Sequence, residues 1–274
     1  MSRSRAMLVA LAATLLTVPL AGCDSSTPAR PAPSTPPPTA SAVPRPAASG
    51  CHQLSYAQAV APSLPASVSD VPCSGSHTAE TFRVGTLHTA IGGHLVAADS
   101  ARVQAQVASA CPSALSSYLG GDEAKLRLSM LRAVWFTPTV AQVDAGADWY
   151  RCDVIALAGD GTLAPVTGSL KGVLAGPHAG EWAMCGTAQP GTAGFTRVPC
   201  RADHSWQALS LVALPAGAYP GADKVKAAGQ KPCQRAGQGV ASDALNYQWG
   251  YEWPTAAQWA AGQTYGICWA PDKG

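Results

Sequence analysis

The sequence predicts an α+β fold. Two related disulfide-stapled modules, each a small antiparallel sheet with one or two helices, follow an export signal and a Pro-rich linker. Three observations predict it. Arg197–His204 contains V-P-C-x3-H, and Asp70–His77 contains it too. P-T-x-A-Q-x3-G occurs at Pro138–Gly146 and at Pro254–Gly262, and each glycine is followed six residues later by Cys152 or Cys268. The eight cysteines beyond residue 50 divide four and four, and each quartet runs Cys, V-P-Cys-x3-His, Cys, Cys. Features that return in the same order at two places mark an internal repeat.

The chain opens with Arg3 and Arg5, an apolar run from Met7 to Leu20, and then Leu20-Ala21-Gly22-Cys23. A basic start, a short apolar core and small residues before a cleavage point read as a signal peptide. A membrane span needs about 20 apolar residues. Leu-Ala-Gly-Cys resembles a bacterial lipobox. The expectation is a lipoprotein signal peptide at 1–22 and a diacylglyceryl thioether on Cys23, which is the anchor to the membrane. A diacyl group suffices for stable attachment. The formal charge of +2 comes from 18 basic and 16 acidic residues, and loss of Arg3 and Arg5 leaves the signs balanced. No basic block points to nucleic acid.

Residues 23–50 form the lipidated cysteine and a linker of Pro, Ser, Thr and Ala, with Pro36-Pro37-Pro38 at its centre. So little apolar surface cannot offset the entropy of folding. Stiffened by proline, such a spacer reaches roughly 80 Å. The first module is placed at 51–176 and the second at 177–274, with Gly176-Pro177-His178-Ala179-Gly180 as the boundary.

Eight cysteines in an exported chain imply disulfides. Four cysteines allow three pairings per half, and sequence alone does not choose among them. The pairing adopted is Cys51–Cys73, Cys111–Cys152, Cys185–Cys200 and Cys233–Cys268, which staples each half separately. Thr81–Leu87 alternates as a half-buried strand, broken by Gly92-Gly93. Val103, Val107, Cys111, Leu115 and Tyr118 share one helical face, and Gly120-Gly121 closes the run. Pro112 inside that pattern predicts a kink or two shorter helices. Strands are expected at 128–136 and 150–157, then a Gly159-Asp160-Gly161 turn into a strand at 162–166, with a further short strand near 167–174. In each P-T-x-A-Q copy, threonine caps a helix of about two turns. Glutamine completes the capping box and glycine ends the helix. Thr139, Gln142, Thr255 and Gln258 are therefore architectural. The second half repeats the scheme with a strand at 205–214 and a helix near 222–229.

V-P-C-x3-H-x2-E, a mid-chain cysteine and P-T-x3-W-x2-G before a final cysteine resemble the septum-formation domain of actinobacterial exported proteins and lipoproteins. Cys73, His77 and Glu80 match, as do Cys200, His204 and Trp259. Gln207 stands where the family often has glutamate, and Val143 replaces the first tryptophan. The resemblance covers most of residues 51–270 and implies envelope work around cell division.

The sequence singles out His77, Glu80 and His204 for metal or acid–base chemistry. Zinc requires three or four ligands, and disulfide cysteines cannot serve. The competing reading is a histidine that ties its own loop to the sheet. There is no G-x-S-x-G, S-x-x-K, H-E-x-x-H or C-x-x-C. Trp249, Tyr251 and Trp253 alternate on one strand face and are the candidate binding surface, for an envelope protein or a cell-wall glycan. No catalytic, cofactor or metal residue is assigned. The function expected is a non-enzymatic, membrane-anchored envelope module on the extracytoplasmic face. The alternative is an envelope hydrolase working through His77 and His204.

Overall fold

The structure is a computed structural model that describes residues 43–64 and 68–272. The expected signal peptide, the Cys23 lipidation site and most of the linker lie outside the described residues. The described residues fall in one compact unit.

The first half contains β1 (Gly50–Gln53), α1 (Tyr56–Ala59), β2 (Ser69–Val71), β3 (Ser76–His77) and β4 (Ala79–Thr86). A small hairpin follows, β5 (Ala90–Ile91) and β6 (His94–Leu95), with Gly92 and Gly93 supplying its positive φ angles. Then come α2 (Ala101–Leu119), α3 (Glu123–Arg127), β7 (Leu131–Phe136), α4 (Val140–Asp144), β8 (Trp149–Gly159), β9 (Thr162–Leu163) and β10 (Val166–Thr167). The second half contains β11 (Met184–Gly186), β12 (Arg197–Pro199), β13 (Trp206–Ala213), α5 (Ala222–Val240), β14 (Gly250–Glu252), α6 (Ala256–Ala260) and β15 (Tyr265–Pro271).

The two main sheets are antiparallel and built alike. Their orders are β2-β1-β4-β8-β7, with β9 added beside β8, and β12-β11-β13-β15-β14. The registers also correspond. Cys51 faces Val71 and Glu80, while Cys185 faces Val198 and Gln207. Thr81 faces Asp153 and Ala208 faces Trp269, and in both sheets the register slips immediately afterwards. Trp135 faces Cys152 as Tyr251 faces Cys268.

Four disulfides join the expected pairs. Cys51–Cys73 and Cys185–Cys200 close the edge of each sheet. Cys111–Cys152 and Cys233–Cys268 clip each long helix to its central strand. Val103, Val107, Cys111, Leu115 and Leu119 form the buried face of α2, with Leu119 in the place expected for Tyr118.

Several expectations are corrected. α2 runs unbroken through Pro112, and α5 likewise runs through Pro232 to Val240. A proline removes one backbone donor, but each of these sits beside a cysteine bonded to the sheet. α5 was expected to stop near Gly229. That glycine instead lets the Tyr251 ring lie against the helix, where a Cβ would collide with it. Residues 169–174 are turns rather than a strand, and Leu170 and Leu174 pack into the first core. α3 was not foreseen; Asp122 caps it, accepting a hydrogen bond from the Lys125 N–H. α4 and α6 have the expected capping boxes but are only five residues long.

The boundary expected near 176–180 does not separate two bodies. Trp182 is buried in the core of the first half. Met130 N–H donates to the Trp182 carbonyl and Met184 N–H to the Leu128 carbonyl, both at 2.8 Å. Ile267 and Trp269 point away from α5. They pack with Met184 and Trp206 against Met130, Leu128 and Leu157 of the first half.

The helix clips should matter most for stability. Cys111–Cys152 closes 41 residues and Cys185–Cys200 closes 15. On chain entropy, removing the first as a Cys→Ala pair should cost about 4 kcal/mol and the second about 3 kcal/mol. Denaturant unfolding of the two double variants measures both.

Candidate functional site

His77 and His204 occupy equivalent places. Each Nδ1 meets the carbonyl oxygen two residues upstream, Gly75 at 3.0 Å and Ala202 at 2.7 Å. A carbonyl only accepts, so each Nδ1 carries the proton. Each ring thus fastens the loop that follows its cysteine. His77 is fully buried, and its Nε2 has no partner. His204 places Nε2 2.6 Å from Asp272 Oδ2, an ion pair between β15's end and the loop. With both ring nitrogens donating, the imidazolium is favoured. The His204 pKa is raised, first by the Ala202 carbonyl and then by Asp272.

Cys185, Cys200 and His204 bring their ligand atoms within 4.8 Å of one another. The two sulfurs are bonded to each other. A disulfide has no thiolate to offer a metal.

Glu80 is buried and saturated. Its Oε1 accepts from Ser169 Oγ at 2.6 Å and from Tyr118 Oη at 2.8 Å, and its Oε2 accepts from the Leu170 N–H at 2.7 Å. It anchors the segment after β10 to α2 and β4. Burial pushes the Tyr118 hydroxyl up to about 12.

The aromatic group is mainly packing. Tyr251 is buried with Cys233 and Cys268, and its hydroxyl donates to the Val225 carbonyl. Trp249 and Trp253 are half-buried against that core. Trp259 donates its indole N–H to the Gly217 carbonyl. Of the three rings of the candidate surface, Tyr251 is covered by α5, and Trp249 and Trp253 remain half-buried beside it.

A polar constellation outside the expected residues stands out. His52 Nδ1 lies 2.7 Å from Asp70 Oδ1, and His52 Nε2 lies 2.8 Å from Thr81 Oγ1. Thr81 donates to Asp153 Oδ1 at 2.8 Å, and Arg151 Nη2 donates to Asp153 Oδ2 at 2.6 Å. Arg151 also lies over the Phe136 ring, with its Nε buried and unpartnered. Asp153 and Arg151 are 0% and 4% exposed in their side chains, whereas Asp70 is 87% exposed. The chain of contacts therefore runs from the surface to the middle of the sheet.

Two acceptors compete for the protons of the His52 ring. Thr81 gives its proton to Asp153, so it accepts from His52 Nε2–H. The Asp70 carboxylate then asks for a second proton, on Nδ1. An imidazolium satisfies both partners; a neutral ring leaves one short. Burial, foremost, and the Arg151 charge lower the His52 pKa, against the opposing pull of Asp153 and Asp70.

The second half lacks these groups. By register, Gly186, Ala208, Ile267 and Trp269 stand where the first half has His52, Thr81, Arg151 and Asp153. The sequence signal was available as a position-by-position comparison of the two copies. It was hidden because the V-P-C-x3-H and P-T-x-A-Q motifs contain none of the four residues.

Two matched α+β sheets closed by four disulfides define a protein of an oxidising compartment, extracellular or envelope-associated. Residues 50–268 match the family model described as Septum formation, and the chain belongs to that family. No curated protein and no solved structure matches it. Among the described residues no helix is long and apolar enough to cross a membrane.

Asp153→Ala would strand the buried Arg151 charge and should cost about 3–5 kcal/mol. Replacing Arg151 and Asp153 together by leucine should recover most of that loss in denaturant unfolding, since no uncompensated charge remains. His204 contributes in the opposite pH sense to a carboxylate. Its folded pKa is raised, so its stabilisation is complete below about pH 6.5 and fades as pH rises through the folded value. The Tm deficit of His204→Gln should therefore be larger at pH 5.5 than at pH 8.5.

Proposed function

We propose that this protein is a non-enzymatic module of the cell envelope that acts in septum formation by holding a partner at the membrane surface. The observation that carries the reading is the match of residues 50–268, both halves together, to the septum-formation family. Two supports come from the chain itself. The two sheets share strand order and register, as two copies of one unit would, and every ring and carboxylate singled out by motif is engaged in holding a loop or helix. The anchor in this reading is a diacylglyceryl group on Cys23, with the Pro-rich linker as spacer. The partner is an envelope protein or a cell-wall glycan.

The hydrolase reading needs His77 and His204 to act on substrate. His77 is fully buried, and both rings direct Nδ1 to their own loops. That geometry favours the binding module.

A fluorescent fusion of the full chain tests the proposal. The expected result is a membrane-bound signal enriched at division sites, with Cys23→Ser released from the membrane fraction. Uniform envelope signal together with normal septation in a deletion strain would sink the septal role. A metal content near one equivalent in the purified protein, lost in His77→Ala or His204→Ala, would revive the hydrolase.

A further inference from the structure

A cleft of about 770 Å³ opens between the two halves. Its volume is within the range of small-molecule sites, roughly 300–1,000 Å³. One wall is α2, α3 and β7; the other is the segment from Gln258 to Tyr265, with Arg197 at the side.

Three guanidinium groups line it, and two have carboxylate partners. Arg127 pairs with Glu123 one helical turn away and stacks over the Tyr265 ring at 4.4 Å. Arg197 holds Glu252 through two bonds, at 2.7 and 3.2 Å. Arg132 has no acidic partner among the described residues. Its Nη1 donates to the Ser129 and Leu131 carbonyls, both at 2.8 Å. Those two bonds fix the plane of the fork. The other edge, Nε and Nη2, makes no bond, and neither atom is among the buried polar atoms sealed without a partner. Burial, foremost, lowers the Arg132 pKa; Tyr265 opposes this and the nearby Arg197 adds to it. A guanidinium remains charged even so. The site therefore holds a fixed, partly desolvated cation with one free bidentate edge, which is the geometry that recognises a planar or tetrahedral oxyanion.

The single carboxylate in the lining, Glu123, is paired with Arg127, and Ser116 and Gln258 add uncharged polar groups. Ser116 makes no other side-chain bond. Gln258 uses only Oε1, in its capping box, and leaves its amide N–H groups free. Leu126 and Leu131 supply the apolar floor.

We propose that this cleft binds a carboxylate or phosphate group carried on a hydroxyl-rich small molecule or chain end, with Arg132 as the anchoring residue. The proposal goes beyond the envelope reading and stands without it, because oxyanion binding is a property of the purified chain.

Isothermal titration of the purified, disulfide-bonded full chain tests it with three probes: glucuronate, glucose 1-phosphate and glucose. At least one of the two anions should bind about tenfold or more tightly than glucose, and Arg132→Gln should abolish that preference, since a charge-assisted bond contributes about 1.5–3 kcal/mol. Which anion binds better assigns the oxyanion as carboxylate or phosphate. Ser113 is exposed on the α2 rim of the cleft. Ser113→Trp should fold normally and obstruct binding, so it decides the matter if Arg132→Gln fails to fold. Equal affinity for all three probes, or undiminished anion binding in the variant that folds, would overturn the proposal.

Discussion

Each half of this chain supplies one long helix, and a sheet has two faces. The helix, clipped through a disulfide to the central strand, covers one face. The other face must find its own cover, because a large apolar face left in water forfeits about 25 cal/mol per Å². In the first half, the segment around α1 does this, packing Leu54 and Ala59 on Ala79, Phe136 and Ile155. In the second half the β11–β12 segment supplies only Phe195, edge-on to Trp269, and Leu128, Met130 and Leu157 of the first half complete the cover over Met184, Trp206, Ile267 and Trp269. The halves are consequently one body, stitched by the 128–130 and 182–184 backbones.

That dependence explains the division of polar and apolar residues between equivalent positions. The strand facing across from the helix carries Arg151 and Asp153 in the first sheet and Ile267 and Trp269 in the second. The second pair must be apolar to form the seam. The first pair is bonded within its own sheet, by Thr81 on β4, which connects through His52 on β1 to the exposed Asp70 on β2. A buried ion pair of this kind seldom adds net stability over apolar residues of equal volume. It is present in only one of the two matched sheets, where it connects to solvent through Asp70.

The architecture was legible where local chemistry repeats. V-P-C-x3-H and the P-T-x-A-Q capping boxes set the order of elements, whereas the pairing of the cysteines was adopted from three possibilities per half and is the one the structure contains. Helix lengths were not legible, because Pro112, Gly229 and Pro232 lower helix propensity locally while a disulfide and a packed ring hold the helix from outside. The join of the halves was not legible either. It depends on which face of the second sheet lacks a helix, a question that strand periodicity does not answer. The site residues divide the same way. The histidines of the repeated motif proved to be loop fasteners because whatever both halves share serves the shared fold. Groups that distinguish the halves, His52 and Asp153 among them, carry no motif.

The cleft follows from the same packing. Beside the 128–130 seam the two halves leave a cleft between α2, α3 and β7 on one side and the Gln258–Tyr265 segment on the other. Arg127 is paired with Glu123 on its own helix and stacks across the gap on the Tyr265 ring, and Arg197 is held by Glu252. Arg132 sits on β7 with its fork held by two carbonyls and with no carboxylate within reach among the described residues. A fold under selection for stability alone would fill such a position with leucine or give it an acid. A charge oriented by two carbonyls but paired with no acid gains further stabilisation when an anion arrives, and the cleft beside it is large enough to admit one.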